Sequence, residues 1–218
     1  MMGLYVNLVL SIHDKLETMD RIEIFRTCDE VFNQQIQLVA SFDAINVNRI
    51  PFEGSWTAGH IVQHTIMSNS LLLELLNGDV IDTGRPVDLV VPDIARDLLD
   101  FTAKMKSAES LTPGNRLYEP DGLSSQVQQI YLDIIHVIEN LDLTKTCTAF
   151  GLPGYGLLTR MEAVYFIICH TERHNRQLKK IIDILSDSTK TNVFGWLVFE
   201  FLSHSGDHLF GRDTPVFP

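Results

Sequence analysis

Apolar residues recur at steps of three and four along four long segments of the chain. The segments cover residues 21–42, 57–76, 123–141 and 159–185. The apolar positions in register are Phe25, Phe32, Ile36 and Val39 in the first segment and Val127, Ile130, Ile134 and Ile138 in the third. This spacing is typical of amphipathic helices, and each segment is longer than an ordinary strand. The sequence therefore predicts four long helices, each with one buried face.

Capping residues lie close to the ends of two of these segments. Ser55 or Thr57 can cap the start of the second helix, and Gly78 follows its end. Thr159 is followed three residues later by Glu162, which is the spacing of a capping box at the start of the fourth helix. The helix boundaries indicated by periodicity and by capping therefore agree.

The longest connection lies between the second and third helices. It begins with the turn-rich stretch NGDVIDTGRPVDLVVPD and includes a short helical piece at residues 94–105. Four long helices with one long crossover are typical of a four-helix bundle. We therefore predict an all-α fold, a four-helix bundle with one long crossover.

The bundle is predicted for residues 21–185, between an N-terminal extension at residues 1–20 and a C-terminal extension at residues 186–218. The C-terminal extension is rich in aromatic residues, namely Phe194, Trp196, Phe199, Phe201, Phe210 and Phe217. We expect an additional packed helix at residues 194–203. A dimer contact and a poorly ordered extension are the alternatives.

Composition and charge exclude several classes of protein. The 218 residues are 45% hydrophobic, which is enough for a sizeable core, and the net charge of −11 argues against binding to nucleic acid or anionic membranes. The cysteines, Cys28, Cys147 and Cys169, lack C-x-x-C spacing and suit a reducing compartment. The apolar runs near the N-terminus and at residues 193–202 are too short to span a bilayer, and the first lacks the pattern of a signal peptide. We therefore expect a cytoplasmic protein that binds neither nucleic acid nor membrane.

Positive charge is concentrated at residues 159–180, which hold five basic and two acidic residues. Basic residues toward the end of a helix complement its dipole, which is the simpler interpretation. The alternative is a basic rim beside a site that takes an anionic substrate.

Two predicted helices each carry a pair of histidines spaced four residues apart. His170 and His174 share a sector of about 80° with core aliphatic residues of the fourth helix, and His60 and His64 do so on the second. An H-x-x-x-H pair can share one metal ion, although by itself it more often consists of two buried histidines with other partners. Facing helices of a bundle assemble metal sites in this way, so the two pairs together favour a shared ion.

The stretches SWTAGHIVQHTI and LTRMEAVYFIICHTERHNRQLKKI resemble the DinB-like superfamily, which includes YfiT-type metal-dependent proteins. The family pattern is a tryptophan ahead of a helical histidine, then an H-x-x-x-H pair late in the last bundle helix, often followed by glutamine. The matching residues are Trp56, His64, His170, Arg173, His174 and Gln177. The resemblance covers about residues 21–185, and it implies an up-and-down-type four-helix bundle with a three-histidine site for a divalent metal, zinc or nickel.

Carried over residue by residue, the resemblance implies that the metal ligands are His64, His170 and His174. His60 has no ligand counterpart in the family pattern, and we expect a pocket residue or a histidine of the helix cap there. Trp56 is expected to pack at the helix start or to form a wall of the pocket. Arg173 and Gln177 are expected to orient a ligand or hold a substrate anion, or else to lie on a solvated helix face.

Three neutral imidazoles would leave the charge of a divalent ion uncompensated, so the ion could activate a water or a thiol. The resemblance implies the same two chemistries, because the superfamily contains thiol S-transferases as well as proteins described as hydrolases. Glu162 is already used by the capping box, and Glu74 is about three turns from His64, so the sequence offers no clear general base. We therefore favour metal-activated transfer of a low-molecular-weight thiol over hydrolysis, and leave the catalytic residue unassigned.

A non-catalytic function is the alternative of a different class. The chain could be a stress-related metal-binding protein or a dimeric interaction module that docks a partner through its aromatic tail. A homodimer is compatible with either interpretation, because bundles of this kind commonly pair through helix faces.

Overall fold

The computed structural model describes residues 2–103 and 107–204, and its side chains are described for residues 21–103 and 107–187. The helices are α1 (Met2–Ala40), α2 (Ala58–Asn77), α3 (Val91–Leu99), α4 (Pro120–Asn140) and α5 (Arg160–His204). Two short strands, β1 (Val80–Ile81) and β2 (Thr146–Cys147), pair antiparallel. The predicted all-α class is confirmed, and the four long helices α1, α2, α4 and α5 form the bundle.

Contacts at the helix ends give the direction of each helix. Arg160 at the start of α5 donates to the carbonyl of Leu76 at the end of α2 and to that of Asp142 just after α4. Both α2 and α4 therefore end where α5 begins, so they run parallel to each other and antiparallel to α5. Arg21 of α1 donates to the carbonyl of Leu141 beyond α4, and α1 runs antiparallel to α4 and parallel to α5.

The order of packing departs from an up-and-down bundle. Helices α1 and α2 each pack against both α4 and α5, whereas α1 and α2 are not among the main packed pairs of the described residues. Consecutive helices of an up-and-down bundle would be antiparallel neighbours, so that implied topology is wrong for this chain. The reason is the crossover at residues 78–119, which carries the chain back along the bundle so that α4 begins beside the start of α2.

The close approach of α2 and α4 at this shared end depends on a glycine. An ideal Cβ on Gly59 would lie 2.6 Å from the ring of Tyr118, just ahead of α4. A larger residue would force the Tyr118 ring outward. Gly59 therefore allows this ring to pack directly on the first turn of α2.

Two of the four predicted long helices, α2 and α4, appear close to their expected bounds, whereas α5 begins where predicted but ends later, at His204. Thr57 caps α2 by accepting from the backbone N–H of His60, and Thr159 and Glu162 form the predicted capping box of α5. The first helix is longer than predicted, because α1 already begins at Met2. The short helix of the crossover, expected at residues 94–105, is instead α3 at Val91–Leu99.

The crossover is fastened to the start of α5 by a buried ion pair. Arg85 makes two 2.6 Å hydrogen bonds to the carboxylate of Glu162, whose side chain is fully buried. The same carboxylate accepts from the backbone N–H groups of Thr159 and Val90. Burial raises the pKa of Glu162, but these hydrogen bonds and the charge of Arg85 outweigh it and lower that pKa below its usual value.

The predicted C-terminal extension begins as a continuation of α5. The helix runs without interruption to His204, so the separate helix expected at residues 194–203 does not form, and residues 205–218 lie outside the described part of the chain. No helix in the described part of the chain is long and apolar enough to cross a membrane.

Candidate metal centre

Three histidines from two antiparallel helices meet between α2 and α5. His64 lies on α2, and His170 and His174 lie one turn apart on α5. The antiparallel arrangement brings the first half of α2 beside this part of α5, as a hydrogen bond from Asn69 to Thr171 also shows. All three imidazoles are buried, with exposures of 6%, 9% and 6%.

The ring nitrogens of the three histidines converge. One ligand atom from each lies within 4.8 Å of the others, and the Nε2 atoms of His170 and His174 are 3.0 Å apart. The ring centroid of His64 is 5.2 Å from that of His170 and 4.9 Å from that of His174. In the described residues, no carboxylate or cysteine joins this cluster.

Hydrogen bonds on the outer side orient two of the three rings. Nδ1 of His64 lies 2.8 Å from the carbonyl oxygen of Leu111, and Nδ1 of His174 lies 2.8 Å from Oε1 of Gln177. Because both partners are acceptors, we assign the proton to Nδ1 in each ring, which leaves the Nε2 lone pair free. Metal-binding histidines in proteins are held in the same way.

Burial keeps these imidazoles neutral. It lowers the pKa of His64, against a smaller opposing effect of the Leu111 carbonyl. It lowers the pKa of His174 to about 3, aided by the charge of His64, while Gln177 opposes the shift. Burial, followed by the charges of His174, His64 and Arg173, places the pKa of His170 well below its ordinary value. Neutral imidazoles are the form that binds metals.

The donor set fits a divalent metal ion. Nε2 of His170 and Nε2 of His174 are 3.0 Å apart, which is a hydrogen-bond distance when one of them carries the proton, and a divalent ion would take the place of that proton. The ligand nitrogens of a tetrahedral zinc site are about 3.4 Å apart, given Zn–N distances of about 2.1 Å. Three imidazoles leave one tetrahedral position for a further ligand, as in catalytic zinc sites.

Aromatic side chains lie on both sides of the cluster. The half-buried ring of Trp56 is 5.3 Å from that of His64, so Trp56 forms a wall of the site as well as packing at the helix start. The ring of Phe166 stacks on that of His170 at 5.8 Å and 24°. Ser107 of the crossover brings its hydroxyl to 3.4 Å from Nδ1 of His64.

His60 lies outside the cluster. Its Nδ1 is 2.7 Å from the hydroxyl of Thr57, and its ring packs edge-on against Tyr118 at 5.4 Å. His60 is therefore a histidine of the helix cap, which is one of the two expectations for it. The remaining predicted pocket residues, Arg173 and Gln177, both lie beside the cluster on α5.

Arg173 has a structural contact that fits neither a residue holding a substrate anion nor a solvated helix face. Its guanidinium is buried, with 7% of the residue exposed, and donates to the backbone carbonyls of Leu98, Asp100 and Ala103 in the crossover. A guanidinium engaged in this way is not available to hold a substrate anion, and it does not lie on a solvated face. The alternative of a basic rim beside the site therefore loses the support of Arg173.

Cys169, next to His170, points away from the cluster. It packs against Ile94 and Leu98 of α3, and burial followed by the charge of Glu172 raises the pKa of its thiol to about 11. It is therefore a core thiol and not a metal-linked thiolate.

Sequence reasoning did not identify Leu111, Ser107 or Phe166 as part of the site. Phe166 could have been found, because it precedes His170 by four residues and so lies on the same helix face. Leu111 contributes only its backbone carbonyl, which any residue could supply. Its role depends on the path of the crossover, which periodicity does not predict.

The two carboxylates considered as general bases are not at the site. Glu162 is held by Arg85 and by backbone N–H groups. Glu74 lines a groove between α2 and α4, together with Asp133, whereas the histidines lie between α2 and α5. Neither carboxylate is placed to accept a proton from a molecule at the cluster.

Comparison with solved structures finds a partial likeness to YfiT from Bacillus subtilis, described as "a probable metal-dependent hydrolase with an unusual four-helix bundle topology". The two chains are 15% identical, the match covers 76% of this chain and 87% of YfiT, and the TM-score is 0.49. Comparison with curated proteins finds no matching sequence.

The sequence also matches the family model of the DinB superfamily over residues 28–178. The matched region includes residues 28–40 of α1, all of α2, α3 and α4, and the part of α5 that carries His170 and His174. It thus contains the complete histidine cluster and the aromatic residues beside it. With more than half of its residues in the match, this chain belongs to the DinB superfamily.

Proposed function

We propose that this protein binds one divalent metal ion through His64, His170 and His174, and that it transfers a low-molecular-weight thiol to a small electrophile. The observation that carries the proposal is the convergence of three buried, neutral imidazoles with no charged ligand among the described residues. In the reaction, a sulfur–carbon bond forms, the leaving group departs from the electrophile, and the thiol proton passes to solvent.

His64, His170 and His174 would hold the ion without neutralising its charge, and that charge would favour deprotonation of a bound thiol or water. The residues of this chain supply the geometry. Leu111 and Gln177 fix the rings of His64 and His174 through their Nδ1 protons. Trp56 and Phe166 place apolar faces beside the site, which limits access of water to it.

The placement of the candidate bases in the described residues favours thiol transfer over hydrolysis in this proposal. A hydrolase of this type uses a general base or acid to move protons as water attacks and the leaving group departs. In the described residues, the candidates Glu162 and Glu74 are engaged elsewhere or face another groove. A thiol loses its proton more readily than water does and has less need of a base, because its ordinary pKa is far below that of water.

Zinc and nickel are the ions we propose. Imidazole nitrogen suits both, whereas calcium and magnesium prefer oxygen ligands, which are absent from this cluster in the described residues. The partner of the protein in this proposal is a small molecule, and a homodimer is compatible with it.

The proposal can be tested with cobalt-substituted protein, whose absorption spectrum reports the ligands of the metal. We expect N-acetylcysteine to produce a saturable sulfur-to-cobalt charge-transfer band in wild-type protein. N-acetylserine, the matched alcohol, should produce none, and neither should N-acetylcysteine with His170→Ala. Consumption of a small electrophile by the thiol should then require the metal.

Other outcomes would decide between the alternatives. Cobalt binding without a thiol band, combined with metal-dependent ester hydrolysis, would favour the hydrolase. Cobalt binding with neither activity would favour a non-catalytic metal-binding module. Absence of cobalt binding in wild-type protein would contradict the proposed site itself.

A further inference from the structure

We propose that Arg173 is a positioning residue that fixes the ring of His170 by holding α3 against α5. The proposal rests on the proposed function in that it takes His170 as a metal ligand. It assigns to Arg173 a role at the site that is exerted through the crossover and not through contact with a substrate.

The ring of His170 differs from the other two in how it is held. His64 and His174 each have a hydrogen-bond acceptor at Nδ1, whereas Nδ1 of His170 is buried and has no hydrogen-bond partner in the described residues. The polar contact of this ring is at Nε2, 3.0 Å from Nε2 of His174, on the side that faces the cluster. On the outer side, where the other two rings have an acceptor, the ring of His170 is held by packing.

That packing comes from Phe166, and α3 supports Phe166 from behind. The ring of Phe166 stacks on His170 and also meets Tyr155 edge-on at 6.1 Å. Ile94 and Leu98 of α3 form a small apolar cluster with Cys169, against which Phe166 packs. A displacement of α3 would therefore remove the support of the ring that orients His170.

Arg173 is the polar contact that ties the end of α3 to α5 beside this cluster. Its guanidinium donates to the carbonyls of Leu98 at 3.1 Å and of Asp100 at 2.9 Å, and also to that of Ala103. These carbonyls belong to the end of α3 and the turn after it, where the helix dipole favours a cation. Because the guanidinium is buried, water does not readily replace these bonds.

Arg176 provides a matched control on the same helix. Its guanidinium lies 3.8 Å from the ring centroid of Phe101, in the same turn after α3, and its side chain is exposed. It carries the same charge as Arg173 but does not hold the backbone of α3. If the loss of a positive charge weakened the site, substitution of either arginine would do so. If Arg173 acts by positioning α3, only its substitution would.

The test compares Arg173→Met, Arg173→Lys and Arg176→Met with wild type in three measurements. In metal-free protein, hydrogen exchange should show lost protection at residues 91–99 in Arg173→Met only. Long-range proton–nitrogen NMR of the histidine rings should show a selective change of the His170 signal, with that of His136 unchanged. In zinc competition with a chelator, the affinity of Arg173→Met should fall by about tenfold. Arg173→Lys should recover part of each loss.

Several results would overturn the proposal. These are an unchanged His170 ring signal in folded Arg173→Met, retained protection of α3, or an equal loss of zinc affinity in Arg176→Met. If Arg173→Met does not fold, Leu98→Ala tests the same link with Arg173 in place, and an unchanged His170 signal there would overturn it. Failure of wild type to bind zinc would refute the proposed function, while the exchange and NMR data on metal-free protein still decide the role of Arg173.

Discussion

Each imidazole of the cluster is held by a different outer contact. Leu111 holds His64 through a carbonyl of the crossover, Gln177 holds His174 from the next turn of its own helix, and Phe166 holds His170 by stacking. Of these contacts, only the one from Gln177 is a side-chain hydrogen bond. It can therefore be removed by substitution without disturbing the backbone.

Gln177→Leu should weaken metal binding without preventing it. The substitution removes the acceptor for the Nδ1 proton of His174, and loss of such a partner typically lowers metal affinity by about 10- to 100-fold. Chelator competition with zinc measures the change. Gln129→Leu, an exposed glutamine substitution on α4, is the control. Equal affinities for wild type and Gln177→Leu would contradict the assigned hydrogen bond.

His60→Ala should leave the metal content unchanged, because His60 bonds to Thr57 and packs on Tyr118 instead of joining the cluster. His64→Ala, one turn further along α2, should abolish metal binding. The pair is measured by metal analysis of the two purified variants. Loss of the ion in His60→Ala would show that this histidine is a ligand.

At the scale of elements, the site depends on how the crossover is fastened to α5. The ion pair of Arg85 and Glu162 holds the first part of the crossover, and Arg173 holds the end of α3. In the second half of the crossover, the backbone carbonyl of Leu111 bonds to His64. Helix periodicity predicted α2 and α5 and placed His64, His170 and His174 on their buried faces. It could not predict the contacts of the crossover, because these depend on backbone carbonyls and on a path that has no repeat.

Glu162→Gln should destabilise the protein by about 2 kcal/mol at neutral pH, since it removes the charge that pairs with Arg85 and places a buried amide NH2 group among donors that now bond the carboxylate. Arg96→Ala, which removes only exposed ion pairs, should lower the stability much less. Urea unfolding measures both changes. A similar decrease in unfolding free energy for the two variants would show that the ion pair of Glu162 stabilises the protein no more than an exposed one.

The same pair predicts a dependence of stability on pH. Because folding lowers the pKa of Glu162, its contribution is fully present above the unfolded value of about 4.5 and is lost as pH falls through the lower, folded value. The difference in unfolding free energy between wild type and Glu162→Gln should therefore shrink as the pH falls below about 4.5. A difference that stays constant between neutral and acidic pH would contradict this assignment.

At the scale of the whole molecule, the long crossover determines the topology. It makes α2 and α4 parallel, so that α2 and α5 are antiparallel neighbours and their histidines meet. The sequence indicated four helices and one long connection. The apolar pattern of an amphipathic helix shows which face is buried but not which other helix packs against it. Spacing alone also did not separate His60 from His64, because residues four apart lie on the same face of a helix. The family resemblance singled out His64.

A chain ending at residue 187 should keep the metal site. Among the side chains that the structure describes, all those that form or orient the cluster lie between Trp56 and Gln177, and the family match ends at residue 178. Circular dichroism and zinc titration of the truncated protein check this prediction. If the shortened chain folds but does not bind zinc, residues 188–218 contribute to the site. Light scattering on both proteins would show whether these residues also affect oligomeric state.

The central claim is that His64, His170 and His174 together hold one divalent metal ion. Elemental analysis of protein purified without a histidine tag tests it most directly, in wild type, His170→Ala and the control His136→Ala, which replaces an exposed histidine of α4. We predict about one zinc or nickel ion per chain in wild type and His136→Ala and none in His170→Ala. Wild-type protein without metal, even after incubation with zinc and nickel, would contradict the claim.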